Sequence, residues 1–366
     1  MKKLQTNIEA CQDSGMLLAM KAVIPLMALA LGLSVLTAEA QTRTQAEIIE
    51  EAVRKALEKP TDILTDEDWQ KVTNLNLSNS QLSGAGGLEN LAQLKQLKLN
   101  NNRLSNLQGL DKLEKLQFLD LANNQLTDGN ALGMLTQLEG LNLSGNKLTD
   151  ANGLQALSRL NTLMLADNNI TDAKGLAPLA HLTHLDLRSN QLTDVSSLEL
   201  PTQLKGLNLN NNQLSNVSGL GTLTQLTALA LAGNQLSNLS GLENLTKLKQ
   251  LNLHSNQLTD AMGLENLKQL KQLKLHDNQL GNVNGLGTLT GLTMLNLSRN
   301  QLSDVKALGA LTQLVGLNLS GNKLTDVNAL GTLTKLRSLD LRDNSDLTKA
   351  QIDVLQVTLP ECKIEF

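Results

Sequence analysis

The chain has 366 residues, a formal net charge of −4 (31 Lys and Arg against 35 Asp and Glu), no tyrosine, two phenylalanines, one tryptophan and two cysteines. This mild acidity, together with the lack of any RNA- or DNA-reading motif, argues against wholesale nucleic-acid binding. Cys11 and Cys362 have no metal-site spacing, and leucine must supply nearly all of the core.

Residues 1–40 read as an export signal. Lys21 supplies positive charge, residues 22–36 form an uncharged run, and Ala38-Glu39-Ala40 has the small-x-small form of a cleavage site, with Gln41 as the mature start. Met20-Lys21 can itself be the true start. The run is short for a membrane span and contains Pro25, and no cysteine follows it to accept a lipid. No second apolar run lies at the C-terminus. The expected mature chain is therefore secreted or periplasmic, with no membrane span. Cleavage removes Cys11, which leaves no disulfide and makes Cys362 a buried thiol of the terminal cap.

Residues 41–71 read as an N-terminal helical cap. Gln45 to Lys59 carries one apolar stripe (Ile48, Ile49, Ala52, Val53, Ala56, Leu57) and stops at Lys59-Pro60. Thr65-Asp66-Glu67-Asp68 has the form of a capping box opening a second helix. Trp69 is expected to cover part of the apolar end of the repeats that begin at Val72.

Residues 72–346 are one unit repeated. Leu-x-x-Leu-x-Leu-x-x-Asn-x-Leu appears cleanly as Leu94, Leu97, Leu99, Asn102 and Leu104, and its first Leu returns every 22 residues through Leu336, in twelve copies. A degenerate copy, Val72, Leu75, Leu77, Ser80 and Leu82, precedes them. Leu97 and Leu99 are two apart and face one side of a short strand; Lys98 faces the other. Such a strand cannot bury its apolar side alone, so copies must stack into a parallel sheet. Thirteen strands at roughly 4.8 Å spacing run on the order of 60 Å. The unit's Asn sits where the chain turns inward. Its amide has donors and an acceptor for the backbone groups left there, so Asn102, Asn124, Asn146, Asn168, Asn190, Asn212, Asn234, Asn256, Asn278, Asn300, Asn322 and Asn344 are expected to form a structural ladder.

The rest of each unit crosses the outer side. Ser or Thr followed by Asp or Asn (Thr149-Asp150, Thr171-Asp172, Ser215-Asn216, Thr325-Asp326) starts a tight turn. Leucines at spacing three, such as Leu154 and Leu157, then predict a 3₁₀ turn and a thin outer face. Pro201 replaces one outer Leu, Gly281 one turn residue, and the last copy has an extra residue at Asn344-Ser345-Asp346-Leu347. Residues 347–366 read as a C-terminal cap, with a helix over Thr348 to Thr358, Pro360 ending it, and a short strand from Cys362 to Phe366.

The 22-residue unit, its Asn, the Thr-Asp turn and the Gly-Leu outer segment resemble the bacterial internalin-type leucine-rich repeats, over residues 46–366; the phosphatase-regulator class of the same repeat is similar. The resemblance implies an α/β fold: a right-handed solenoid with thirteen parallel concave strands, short 3₁₀ or turn segments on the convex side, and helical N- and C-caps. It also implies a concave sheet that binds another macromolecule.

The outward strand positions are mostly small and polar. Two places depart from that. Phe118, Asp120, Met164, His184, Asp186 and Arg188 lie on nearby strands and mix apolar with charged groups, which makes them the first candidate for a protein hot spot. Lys274, His254 and His276, with Lys249 and Lys271, form the second, and Lys98 adds a cation on an early strand. The two histidines occupy one position of adjacent coils, roughly 5 Å apart, yet lack a third metal ligand of clear geometry. No metal or other cofactor is therefore expected. No G-x-S-x-G, H-E-x-x-H or phosphate-binding loop is present, and an open sheet does not enclose an acid–base pair. The sequence points to an exported, non-catalytic, monomeric protein that binds a protein or glycan through its concave face. A structural envelope spacer, or a regulator of an exported enzyme, is the alternative.

Overall fold

A computed structural model describes residues 43–196 and 198–366. The export signal expected over residues 1–40 lies outside them. The chain divides into two units, Met1–Ile48 and Ile49–Phe366. In the first, Thr44 opens helix α1 (Gln45–Ala56), with its hydroxyl accepting from Glu47 N at 3.2 Å and its own N–H donating to Glu47 Oε2 at 2.7 Å.

In the second unit, α1 buries Ile49 and Val53 and ends three residues before the expected Lys59. The reason is a backbone stop and not Pro60. Lys59 N donates to Arg54 O at 2.9 Å and Glu58 N to Lys55 O at 3.3 Å, while Glu58 takes a φ of 56°. This is the paired closing geometry of a Schellman end. The short α2 (Asp66–Trp69) has Thr65 as its N-cap in a capping box with Asp68. Asp68 is buried and accepts from Lys59 Nζ at 2.9 Å and Thr65 N at 3.2 Å. Lys59 first, and the Thr65 backbone next, hold its carboxyl well below the usual carboxylate range.

The sheet contains fourteen parallel strands in chain order, β1 (Asn74–Asn76) through β14 (Lys363–Glu365). Each of the first twelve pairs with the next at an offset of 22, as Leu97 with Leu119 and Leu119 with Leu141. Thirteen of them are the repeat strands read from the sequence. The terminal strand of the cap adds the fourteenth, pairing Leu339 with Ile364 at an offset of 25 after helix α3 (Lys349–Thr358) has been inserted. Thr348 caps α3 in a box with Gln351, and Ile352, Leu355, Leu359 and Cys362 close the apolar end.

The outer segments follow from the spacing of leucine. Leu110 N donates to Leu107 O, Leu113 N to Leu110 O and Leu116 N to Leu113 O, at 2.9–3.1 Å. An i→i+3 bond turns the chain once per three residues, so every third side chain faces the core. Pro201 keeps a buried place in this row but has no N–H to give, and nearby Glu199 takes a φ of 42°. Asp150, Asp172, Asn216 and Asp326 each accept from the N–H two residues on, at 2.8–3.4 Å. The Asp or Asn of the pair, and not its Ser or Thr, makes this turn.

Inside, every ladder Asn is at most 9% exposed. Asn212 is representative. Its Nδ2 donates to Leu187 O (3.0 Å) in the preceding coil and to Leu209 O (3.1 Å) in its own, while its Oδ1 accepts from Leu192 N (3.0 Å) in the preceding coil. The amide reaches backwards. This explains Ser80 in the degenerate first copy: no repeat coil precedes it, so the position needs no amide. Its N–H instead donates to Asn102 of the next coil at 3.0 Å.

Candidate functional site

The exposed face of the sheet presents three outward columns, set by the strand residue before the central Leu, the one after it, and the one two further on. In the column after the Leu, nine of thirteen residues are Asn or Asp (positions 76, 120, 142, 186, 208, 252, 296, 318 and 340). All nine turn Oδ1 onto the N–H two residues on, at 2.9–3.4 Å. The geometry gives them a backbone-bracing role. Asp120 and Asp186 are among them, so each commits one carboxylate oxygen to its own chain. Four positions depart: Lys98, Met164, Ala230 and Lys274. At Ala230 the brace is replaced from the coil before, with Asn210 Oδ1 accepting from Ala232 N at 2.7 Å.

Three of these four exceptions gather in one depression of about 410 Å³ that crosses β5 (Thr162–Met164) to β10 (Gln272–Lys274). Its floor is Gly206, Ala228 and Ala230. Met164, His184 and Asp186 form one rim, and Gln250, Asn252, Gln272 and Lys274 the other. The small floor residues make the hollow. Gly206 also seats the rim, because a Cβ there would lie 2.9 Å from His184 Cδ2: the imidazole lies across the glycine. Thr183 Oγ1 holds its Nδ1 at 3.0 Å. The same device recurs where Phe118 lies over Gly140 and Met294 over Gly316, with Cβ contacts of 2.8 and 2.7 Å.

The structure divides the first sequence-predicted cluster. Met164, His184 and Asp186 line the depression; Phe118 and Asp120, on β3 (Phe118–Asp120), and Arg188 stand outside it. Phe118 and Met164 are each 42% exposed. Arg188 Nε lies 3.7 Å from Asp186 Oδ2. Lys274 of the second cluster joins the opposite rim, while His254 and His276 stack on each other in the third column, ring centroids 4.3 Å apart. Lys98 is on β2 (Gln96–Lys98), beside Asp120 of β3 in register and remote from the hollow. Parts of two separate places on the sequence thus become opposite rims of one feature. Gly206, Asn208, Ala228, Gln250, Asn252 and Gln272 were missed. The signal for the floor was present as a run of small residues at 206, 228 and 230, legible only when the chain is read in columns.

The family described as leucine-rich repeats (2 copies) matches residues 114–156, 158–200, 202–244 and 224–268. No curated protein sequence matches the chain. Among solved structures, the internalin InlF of Listeria monocytogenes is 32% identical, covers 87% of this chain and 94% of its own, and superposes with a TM-score of 0.81. A leucine-rich-repeat protein of Leptospira interrogans is 25% identical over 82% of this chain and 97% of that one, with a TM-score of 0.62. The plant peptide hormone receptor RGFR1, solved in complex with RGF2, is 25% identical over 75% of this chain and 48% of that one, with a TM-score of 0.60. No helix among the described residues is long and apolar enough to cross a membrane. With its repeat period, amide ladder and near full-length match to InlF, the chain belongs to the bacterial internalin-type leucine-rich-repeat proteins.

Proposed function

We propose that the chain is an exported binding protein that receives a protein partner on its concave face, centred on the depression between β5 and β10. One observation carries this reading. Where the outward column abandons its bracing Asn or Asp, three of the four replacements, Met164, Ala230 and Lys274, line the same hollow. A packing requirement alone would not place them together. An apolar methionine at the rim, a small floor and flanking charges are the makings of a contact with a desolvated centre and polar edge. RGFR1, solved in complex with RGF2, supports a polypeptide as the class of partner. The preformed sheet loses little conformational freedom on binding, which favours affinity.

A binding role is favoured over a catalytic one by geometry. Asp186 and Lys274 sit four strands apart, about 19 Å at ordinary strand spacing. One bond cannot be served by both, since general acid and base act within hydrogen-bond reach.

Partner capture from envelope extract and culture medium tests the reading. Ala230→Arg fills the hollow and is expected to abolish capture of a stoichiometric partner. Met262→Arg, on the outer turn, is expected to leave it intact. Capture lost with the outer substitution and kept with Ala230→Arg refutes the assignment. Fractionation with N-terminal sequencing tests export: a mature start at Gln41 is expected, and an uncleaved cytosolic chain refutes it.

A further inference from the structure

Beside the hollow lies a histidine pair that partner binding at the depression does not use. His254 and His276 follow β9 (Gln250–Asn252) and β10 by two residues, and their rings stack at 4.3 Å with planes 21° apart. His254 Nδ1 meets Ser255 Oγ at 3.0 Å. His276 Nδ1 is buried without a hydrogen-bond partner, and its Nε2 is 3.9 Å from Asp277 Oδ2. The charged groups facing the pair are Lys274 on β10, Asp277 in the turn after it, and Arg299 in the turn of the next coil. The coil before presents Ala232 and Gly233. Asp277 is the one carboxylate in this set, and Arg299 Nη1 already lies 3.5 Å from it. The cations and latent cations of the cluster thus outnumber its one carboxylate.

We propose that His254, His276 and Lys274 form a recognition site for an acidic polypeptide segment, whose grip tightens as the pH falls. The proposal rests on the concave face being the binding surface. Lys274 and His276 point outward from one strand two residues apart, roughly 7 Å. That is also the spacing of alternate side chains on an extended polypeptide, so two acidic residues at i and i+2 meet both groups. The amides of Gln250, Asn252 and Gln272 adjoin them and have the donors and acceptors a peptide backbone requires.

Proton linkage follows from the stacking. Two neutral imidazoles pack at 4.3 Å, whereas two imidazolium ions at that distance repel. Burial, and then the charge of Lys274, hold His254 below the ordinary imidazole range; burial, and then His254, do the same for His276. Bound carboxylates oppose that lowering. Binding therefore takes up protons, and affinity must rise as pH falls through the histidine range. The gain ends near pH 4.5, where the partner's own carboxylates, with ordinary pKa about 4.3, begin to protonate.

The test measures fluorescence anisotropy of a labelled alternating Glu-Ser peptide with the whole chain, at constant ionic strength, from pH 7.5 to 5.0. A Kd about threefold or more lower at pH 5.0 than at pH 7.5 is expected, the tenfold that a one-unit rise in one histidine's pKa corresponds to being the limit reached below its free value. The double variant His254→Gln, His276→Gln should lose the pH dependence, and Lys274→Gln should weaken binding at both ends of the range. Should the double variant fail to fold, imidazole NMR titration of the unaltered chain decides: peptide must raise both histidine pKa values. Equal affinity across the range, unmoved histidine titrations, or binding of dextran sulfate without binding of the peptide would overturn the proposal. Loss of partner capture by Ala230→Arg alongside failure of the peptide removes this site alone and leaves the concave-face reading standing.

Discussion

Asn212 is the place to test whether the ladder holds the coils together. In Asn212→Ala, Leu187 O and Leu209 O each keep a second amide donor, from Asn190 (3.0 Å) and Asn234 (3.0 Å). Leu192 N, which donates to Asn212 Oδ1 at 3.0 Å, loses its buried acceptor. An orphaned buried donor costs about 1–3 kcal/mol, and the weakened carbonyls add roughly 0.5–1.5 kcal/mol. A loss of about 3 kcal/mol is expected in urea unfolding followed by circular dichroism. Hydrogen exchange at Leu192 N–H should accelerate more than at amides several coils away, because solenoid stability is set locally. Asn212→Asp sharpens the test. Its second carboxylate oxygen would face the carbonyls of Leu187, Leu209 and Asn210, where only a protonated acid can donate. Its folded pKa should lie above the unfolded value of about 3.9. The sign is then fixed: the variant is at its best below about pH 4 and loses stability as pH rises through the folded pKa, so at neutral pH it should be less stable than Asn212→Ala. An Asn212→Ala variant within about 0.5 kcal/mol of the parent, or an Asn212→Asp variant without excess pH dependence, would refute the inward amides.

Other expectations rest on the same kind of contact. Leu207→Ala, at a central core position, should cost about 3 kcal/mol in unfolding free energy, and a cost below about 1 kcal/mol would contradict a packed interior. Asp68→Asn should destabilise the N-terminal cap at neutral pH. Because Asp68 has a depressed folded pKa, the gap between parent and variant is full above about pH 4 and closes as pH falls below it; a gap independent of pH would contradict the Lys59 pairing. Cys362 is 4% exposed and burial raises its thiol pKa, so alkylation at about pH 8 should be slow in the native chain and fast in urea. Gly206→Leu should leave the unfolding midpoint nearly unchanged and move the His184 imidazole signals, since its side chain enters the space the ring now occupies; unmoved signals would contradict the ring lying on that glycine.

The repeat made most of the fold legible. A strict 22-residue period forces every coil into one register, so Leu97, Leu119 and Leu141 could be placed on one line from spacing alone. The terminal strand was read at Cys362 to Phe366, but not its place as the fourteenth of the sheet, because the extra residue near Asn344 and helix α3 break that period and the offset to β14 becomes 25. The end of α1 was misplaced for a local reason. A non-glycine residue, Glu58, supplies the left-handed turn, and sequence offers no mark for that choice. The candidate site was legible by halves. Met164, His184, Asp186 and Lys274 stand out as large or charged, but the hollow between them is made of Gly206, Ala228 and Ala230, which carry no chemistry of their own. The bracing role of Asp120 and Asp186 was hidden too, since a side chain bonded to its own backbone looks in sequence like one free for a partner.

Methionine methyl NMR with the captured partner tests the central claim most directly. Met164 lines the hollow, whereas Met134 and Met262 are each 67% exposed on outer segments. Stoichiometric partner is expected to shift or broaden the Met164 methyl and to leave those of Met134 and Met262 in place. Shifts at the two outer methyls with Met164 unmoved would contradict binding at the concave face.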